Sequence, residues 1–207
     1  MARTRSTRTT GAPQQMARSL AQFPAELRRA AAGHGIVPRL IADLPQEWRL
    51  GPATVVVDTR RRAAQIRYAR EVVARARCDA GDVLTSWRRA LDRLARDSLP
   101  PDDFLPALSA AYADCLTHIA GAPGDRVELC DMVPAVAKAA GRRTYSRAQF
   151  AWDIGRLRRE RRLQYAGRRV LVDVATGAAP TRRRRVLWIE DESGAGQYYG
   201  SFRLVTR

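Results

Sequence analysis

Positive charge is concentrated in one segment of the chain. Residues 142–185 carry fourteen arginines against three acidic residues, which gives the segment a charge of +11. The rest is nearly balanced, since residues 19–141 sum to +2 in a chain of +16. Like charges this dense repel each other unless a polyanion binds, so the segment is the expected contact region for nucleic acid.

The same segment carries the apolar spacing of a helix. Phe150, Ile154 and Leu157 are four and three residues apart, and Ser146 precedes them as a capping residue. This pattern predicts a helix over residues 146–161. The apolar residues would face a core and leave the arginines of the helix on its other side.

The elements around this helix follow a simple order. A shorter helix is predicted over residues 132–140, capped by Asp131, after a short strand at residues 127–129. Two strands are predicted after the long helix, at residues 163–166 and 170–174. Two more strands are predicted further on, at residues 186–190 and 198–205.

This order resembles a winged helix-turn-helix over about residues 102–190. Residues 131–141 correspond to the support helix and residues 146–161 to the recognition helix. The wing corresponds to residues 163–174, with its tip extended by residues 182–185. The resemblance implies a helix that enters the major groove of DNA and a hairpin that contacts the backbone or minor groove.

The N-terminal part is predicted to be helical. Residues 1–15 are basic and nearly free of apolar side chains, which predicts a disordered basic arm. Residues 16–100 are expected to form a helical assembly or docking region, and residues 101–207 a winged-helix domain with extra C-terminal strands. Helices are predicted at residues 16–32, 36–44, 60–77 and 82–96. The fold class is thus mainly α with a β-rich C-terminus.

The candidate contact residues are arginines of three places: the helix from Ser146, once its apolar face is assigned to the core, the turn before that helix, and the wing with its tip. An arginine can bridge O6 and N7 of guanine or pair with a phosphate. The alternative is a solvated charged surface without a ligand. The predicted contacts are Arg142, Arg143, Arg147, Arg156, Arg158, Arg159, Arg162, Arg168, Arg169, Arg182, Arg183, Arg184 and Arg185.

The sequence offers little to support catalysis. His34 and His118 are far apart, and neither has a Cys, Asp or Glu at metal-ligand spacing. No phosphate-binding loop or nucleophile elbow is present. The acidic clusters at residues 102–103 and 190–192 are better explained by a helix start and a turn. We therefore predict a protein that is not an enzyme and uses no cofactor or metal.

These features predict a protein that binds nucleic acid, with double-stranded DNA preferred. It would act as a regulator or as an accessory subunit of a DNA-processing or defence complex. One alternative is an RNA-binding subunit of a ribonucleoprotein, and a second is a protein-docking module. Residues 16–100 would form a homodimer or bind a protein partner.

Cysteine usage and hydropathy predict the compartment. The three cysteines, Cys78, Cys115 and Cys130, have no short spacing and are expected to be reduced and inert. No apolar run approaches the ~20 residues of a membrane span, so no membrane partner is expected. The predicted location is the bacterial cytoplasm or nucleoid.

Overall fold

The first unit of the fold, residues 11–96, is an antiparallel sheet packed against two helices. The structure is a computed structural model and describes residues 11–176, 185–190 and 195–206. The sheet runs in chain order through β1 (Arg39–Asp43), β2 (Gln46–Leu50), β3 (Ala53–Asp58), β4 (Ala63–Tyr68) and β5 (Glu71–Arg77). The helices that pack against it are α1 (Gly11–Ala32), which precedes the sheet, and α2 (Ala80–Arg96), which follows it.

Alternating burial explains why these residues form strands. In β4, Ala64, Ile66 and Tyr68 are buried, whereas Gln65 and Arg67 are only half-buried. This period of two places one face of the strand on the core. The helices supply the other side of that core, including Phe23 and Leu27 from α1.

The sheet contradicts the predicted fold class. Residues 16–100 are not helical throughout, because residues 39–77 form all five strands of the first sheet. The helix predicted over residues 60–77 is the hairpin of β4 and β5, and the helix predicted over residues 36–44 is largely β1. The fold is therefore not mainly α, since a second sheet lies in the C-terminal half.

The ends of the helices also differ from the predicted bounds. Helix α1 begins at Gly11, so residues 11–15 of the predicted arm are helical, and it continues through Pro24. Residues 1–10 of that arm lie outside the described residues. Helix α2 starts after Asp79, whose carboxylate accepts a hydrogen bond from the Asp82 amide at 2.9 Å, as expected of a capping residue.

The second unit, residues 101–206, surrounds its own core with three helices and a sheet. Its sheet has the order β6-β10-β8-β7, and β9 pairs with β10. Its elements are α3 (Pro101–His118), β6 (Val127–Glu128), α4 (Leu129–Ala139), α5 (Arg147–Arg159), β7 (Gln164–Tyr165), β8 (Arg168–Val174), β9 (Leu187–Glu190) and β10 (Gly196–Thr206).

Several local predictions in this unit are confirmed. Ser146 caps α5 by accepting a hydrogen bond from the Gln149 amide at 3.1 Å. Phe150, Ile154 and Leu157 are fully buried in the core of the second unit. The β7–β8 turn contains Gly167 at φ 73°, a left-handed conformation that glycine adopts without steric cost.

One hairpin of the first unit reaches into the second. The turn between β4 and β5 consists of Ala69 and Arg70, both in the left-handed region at φ 51° and 63°. Tyr68 and Ala69 belong to the core of the second unit, with the Tyr68 ring 5.3 Å from that of Trp152. Arg70 lies over the ring of Trp188 at 4.3 Å. We call residues 68–71 the hairpin tip, and through it the first unit contributes side chains to the core of the second.

Three further features of the described residues concern membrane spans, metal sites and cysteines. No helix among them is long and apolar enough to cross a membrane. No group of three or more His, Cys, Asp or Glu residues in this part of the chain is arranged to hold a metal ion. Cys115 is buried, Cys78 and Cys130 are half-buried, and all three are free thiols. Burial raises the pKa of each thiol above its usual value, which favours the unreactive protonated form.

Candidate nucleic-acid interface

Both faces of α5 are covered by the fold. Its apolar face, which includes Phe150 and Leu157, packs in the core of the second unit. Its opposite face meets the hairpin tip, the link between α2 and α3, and the end of α2, where Gln149 donates to the Leu94 carbonyl at 2.9 Å. The N-terminal end of the helix is therefore not available to enter a DNA groove.

Asp153 is the centre of this buried contact. Its side chain is fully buried and accepts hydrogen bonds from the hydroxyls of Ser98 and Tyr145, each at 2.5 Å. The backbone amide of Leu99 also donates a hydrogen bond to the Asp153 carboxylate, at 3.4 Å. Burial raises the pKa of the Asp153 carboxyl above its usual range, although these hydrogen bonds favour the charged form and oppose the shift.

Two predicted contact residues are used inside the protein. Arg147 donates to the Val186 carbonyl and lies 3.4 Å from the Glu71 carboxylate. Arg156 donates to the Leu99 carbonyl, and only 21% of its side chain is exposed. The Arg147 guanidinium joins α5 to β5 of the first unit, and the Arg156 guanidinium joins α5 to the link between the units. Both residues are therefore left out of the proposed surface.

The C-terminal end of α5 is different, because its arginines are exposed. Arg158 donates to the Tyr199 hydroxyl and lies over the Tyr199 ring at 5.0 Å. Arg159 lies over the ring of Trp152 at 5.9 Å. Arg162 pairs with Asp102 at 2.7 Å, so part of its charge is compensated.

A groove beside this helix end gathers arginines from two elements. It has a volume of about 740 Å³, and Arg158, Arg161 and Arg169 line it together with Gln164, Gln197 and Tyr199. Its remaining lining residues are Leu163, Val170, Leu171, Val172 and Val174. No acidic side chain is among them. We call this site the basic groove.

The chemistry of the basic groove suits an anion. Arg161 and Arg169 are exposed, and neither has an ion-pair partner among the residues that the structure describes. The Tyr199 hydroxyl already accepts from Arg158 and, at 3.2 Å, from Gln197. Its ring and hydroxyl thereby orient Arg158 at the wall of the groove, and three guanidinium groups can donate to phosphate oxygens there.

The other predicted contacts are scattered around this surface. Arg168 is exposed at the start of β8, next to Arg169. Arg142 and Arg143 are exposed in the turn before α5, away from the groove lining. Arg185 pairs with Glu128 at 3.3 Å. Arg182, Arg183 and Arg184 lie outside the described residues, so their role remains a prediction.

Sequence reasoning missed four residues of the groove: Arg161, Gln164, Gln197 and Tyr199. Arg161 was available from the sequence, since it belongs to the same basic run as Arg158, Arg159 and Arg162. The glutamines and the tyrosine carried no such signal, because β7 and β10 meet at the groove only through pairing with β8.

Comparison with family models, curated proteins and solved structures returned no match to this chain. The functional argument therefore rests on the geometry and charge of the site itself.

Proposed function

We propose that the protein binds nucleic acid, double-stranded DNA in preference to RNA, at the basic groove and without catalysing a reaction on it. The observation that carries this proposal is the convergence of Arg158, Arg161 and Arg169 on a groove whose described lining residues include no acidic side chain. Arginine guanidinium groups bind phosphate through paired hydrogen bonds. The +11 charge of residues 142–185 adds long-range attraction for a polyanion.

The order of elements in the second unit supports a winged-helix assignment. The order is α3, β6, α4, α5 and then β7 to β10, and β10 pairs with both β6 and β8. In this assignment α5 is the recognition helix, and the wing strands are β8 and β10 in place of the wing first assigned to residues 163–174. The basic groove then lies between the C-terminal end of that helix and the wing.

The covered face of α5 determines the proposed mode of binding. A helix whose N-terminal half packs against the first unit cannot place that half among base edges. The exposed arginines sit at one helix end and on β8, where they suit the sugar-phosphate backbone. Backbone contacts fix position but read no sequence, so we expect binding with little sequence preference.

The test compares the full chain with a double variant of the groove. Arg161→Ser with Arg169→Ser should lower affinity for a short DNA duplex by about tenfold or more, because two charge-assisted contacts are lost. The log-log slope of affinity against salt should become shallower by about 2, since each phosphate contact contributes about 0.9. Fluorescence anisotropy over a range of salt concentrations measures both quantities.

The matched control is Arg29→Ser with Arg89→Ser, which removes the same charge from exposed positions of α1 and α2. If the control loses as much affinity as the groove variant, binding depends on net charge alone and the groove is not the site. Competition with structured RNA tests the nucleic-acid class. Preferential displacement of duplex DNA by RNA would favour the ribonucleoprotein alternative over the one proposed.

A further inference from the structure

The free edge of the first sheet exposes several large apolar side chains. Val37, Leu40, Ile41 and Leu44 are four of the seven large apolar side chains exposed in this part of the chain. Val37 and Leu44 are the extremes, at 80% and 95% exposure. They lie on and beside β1, which pairs with β2 alone among the strands that the structure describes. Clusters of this kind mark interaction sites in soluble proteins.

The charges of β1 indicate what covers this edge. Arg39 and Asp43 stand at the two ends of the strand, and neither has an ion-pair partner among the described residues. Arg39 instead faces another arginine, Arg49, across the β1–β2 pair. The strand therefore has one positive end, an apolar middle and one negative end.

The charges at the two ends of β1 are complementary to those of a second copy related by a two-fold axis. When two copies of β1 meet antiparallel with the axis near Ile41, Arg39 of each copy faces Asp43 of the other. The two pairs are about 13 Å apart along the strand and flank Leu40 and Ile41. A two-fold interface has this reciprocal character, because each patch meets a copy of itself.

We propose that the protein forms a homodimer through β1, with Arg39 of each copy paired to Asp43 of its partner. Side chains make the interface rather than a continuous backbone ladder. The register of β1 and β2 passes from Leu40–Trp48 to Ala42–Glu47, so Ile41 forms a bulge, and bulges on edge strands disfavour ladder pairing. The interface is neutral, which allows two strongly basic chains to associate.

The test uses reversed charges in the full chain, freed of nucleic acid. Sedimentation or light scattering should give the mass of a dimer for the natural sequence. Arg39→Asp and Asp43→Arg should each lower the association constant by about tenfold or more, because each places two like-charged pairs in the dimer. Arg75→Asp on β5 and Asp92→Arg on α2 are controls at exposed, unpaired positions and should leave the association unchanged.

Mixing the two variants gives the sharpest outcome. A dimer of one Arg39→Asp chain and one Asp43→Arg chain has two attractive pairs, so the mixture should regain the dimer that each variant alone loses. A monomer at every concentration of the natural chain would overturn the proposal. So would a dimer that survives both reversals, or a mixture that does not reassociate. None of these outcomes depends on the basic groove.

Discussion

At the residue scale, Asp153 joins the helix α5 to the link between the two units. It is fully buried and accepts from Ser98 and Tyr145 at 2.5 Å. Its sequence position gave no hint of this role, because aspartate in the middle of a helix is usually exposed. Its burial shows that the face of α5 opposite the core is also an internal surface.

The raised pKa of Asp153 makes its contribution to stability depend on pH. A carboxyl with a higher pKa in the folded chain than in the unfolded chain binds its proton more tightly when folded. Its contribution to stability is therefore fully present at acidic pH and is lost as pH rises through the folded-state pKa. Asp153→Asn removes this titration. We expect the stability of the variant relative to the natural chain to increase from acidic to neutral pH.

Denaturant unfolding at a series of pH values measures this difference. Asp92→Asn, at an exposed position of α2, is the control and should show a much smaller trend. A difference between Asp153→Asn and the natural chain that is constant with pH, or that moves in the opposite direction, would contradict the assignment of a raised pKa.

At the element scale, the hairpin of β4 and β5 decides how the two units are joined. Its tip carries Tyr68 into the core of the second unit, whereas Ile66, two residues earlier, stays in the core of the first. The hairpin therefore belongs to both cores. Two units connected in this way should unfold together.

Truncating the tip should separate the units. Tyr68→Ala is expected to cost about 3–5 kcal/mol and to split unfolding into two transitions, detected by hydrogen exchange at amides of β3 and β8. Ile66→Ala is the control, because it damages only the first core, at a cost of about 2–5 kcal/mol. It should lower stability while the two sets of amides still unfold together. Coincident transitions in Tyr68→Ala would show that other contacts couple the units.

The sequence predicted the elements of the second unit better than those of the first. Capping and apolar spacing identified α5 because both signals are local. The β4–β5 hairpin was mistaken for a helix, since Ala64, Val72 and Ala76 also fit a helical stripe. Its turn contains Ala69 and Arg70 at positive φ, where glycine or asparagine is the usual signal.

The candidate site was predictable only in part. The basic character of residues 142–185 follows from composition, and the exposed arginines at the C-terminal end of α5 and at the start of β8 agree with it. The inward roles of Arg147 and Arg156 depend on contacts with Glu71 and Leu99. These partners are more than fifty residues away in sequence, and no local pattern could reveal them.

At the scale of the whole molecule, the net charge of +16 opposes compactness, because like charges repel in the folded state. A bound polyanion should offset this. A short DNA duplex at about 100 times its Kd should stabilise the fold by about 2.7 kcal/mol. That corresponds to a rise in Tm of roughly 5–10 °C for a chain of this size.

Salt at matched ionic strength separates specific binding from general screening. It should raise Tm less than the duplex does. The variant with both Arg161→Ser and Arg169→Ser, given the same duplex concentration, should show a clearly smaller rise than the natural chain. Equal rises with duplex and with salt would contradict binding at a defined site, and calorimetry or fluorescence can follow each melting curve.

The position of β10 in the second sheet determines the order in which the two sheets can fold during synthesis on the ribosome. Each strand of the first sheet pairs with its neighbours in sequence, so that sheet can assemble as the chain emerges. In the second sheet, β10 lies between β6 and β8 although it follows both in the chain. Residues 101–176 must wait for residues 196–206 before their apolar surfaces are closed. During that interval the nascent chain exposes the apolar surface of residues 101–176. The first unit, with its hairpin tip, is the nearest part of the chain that can cover this surface.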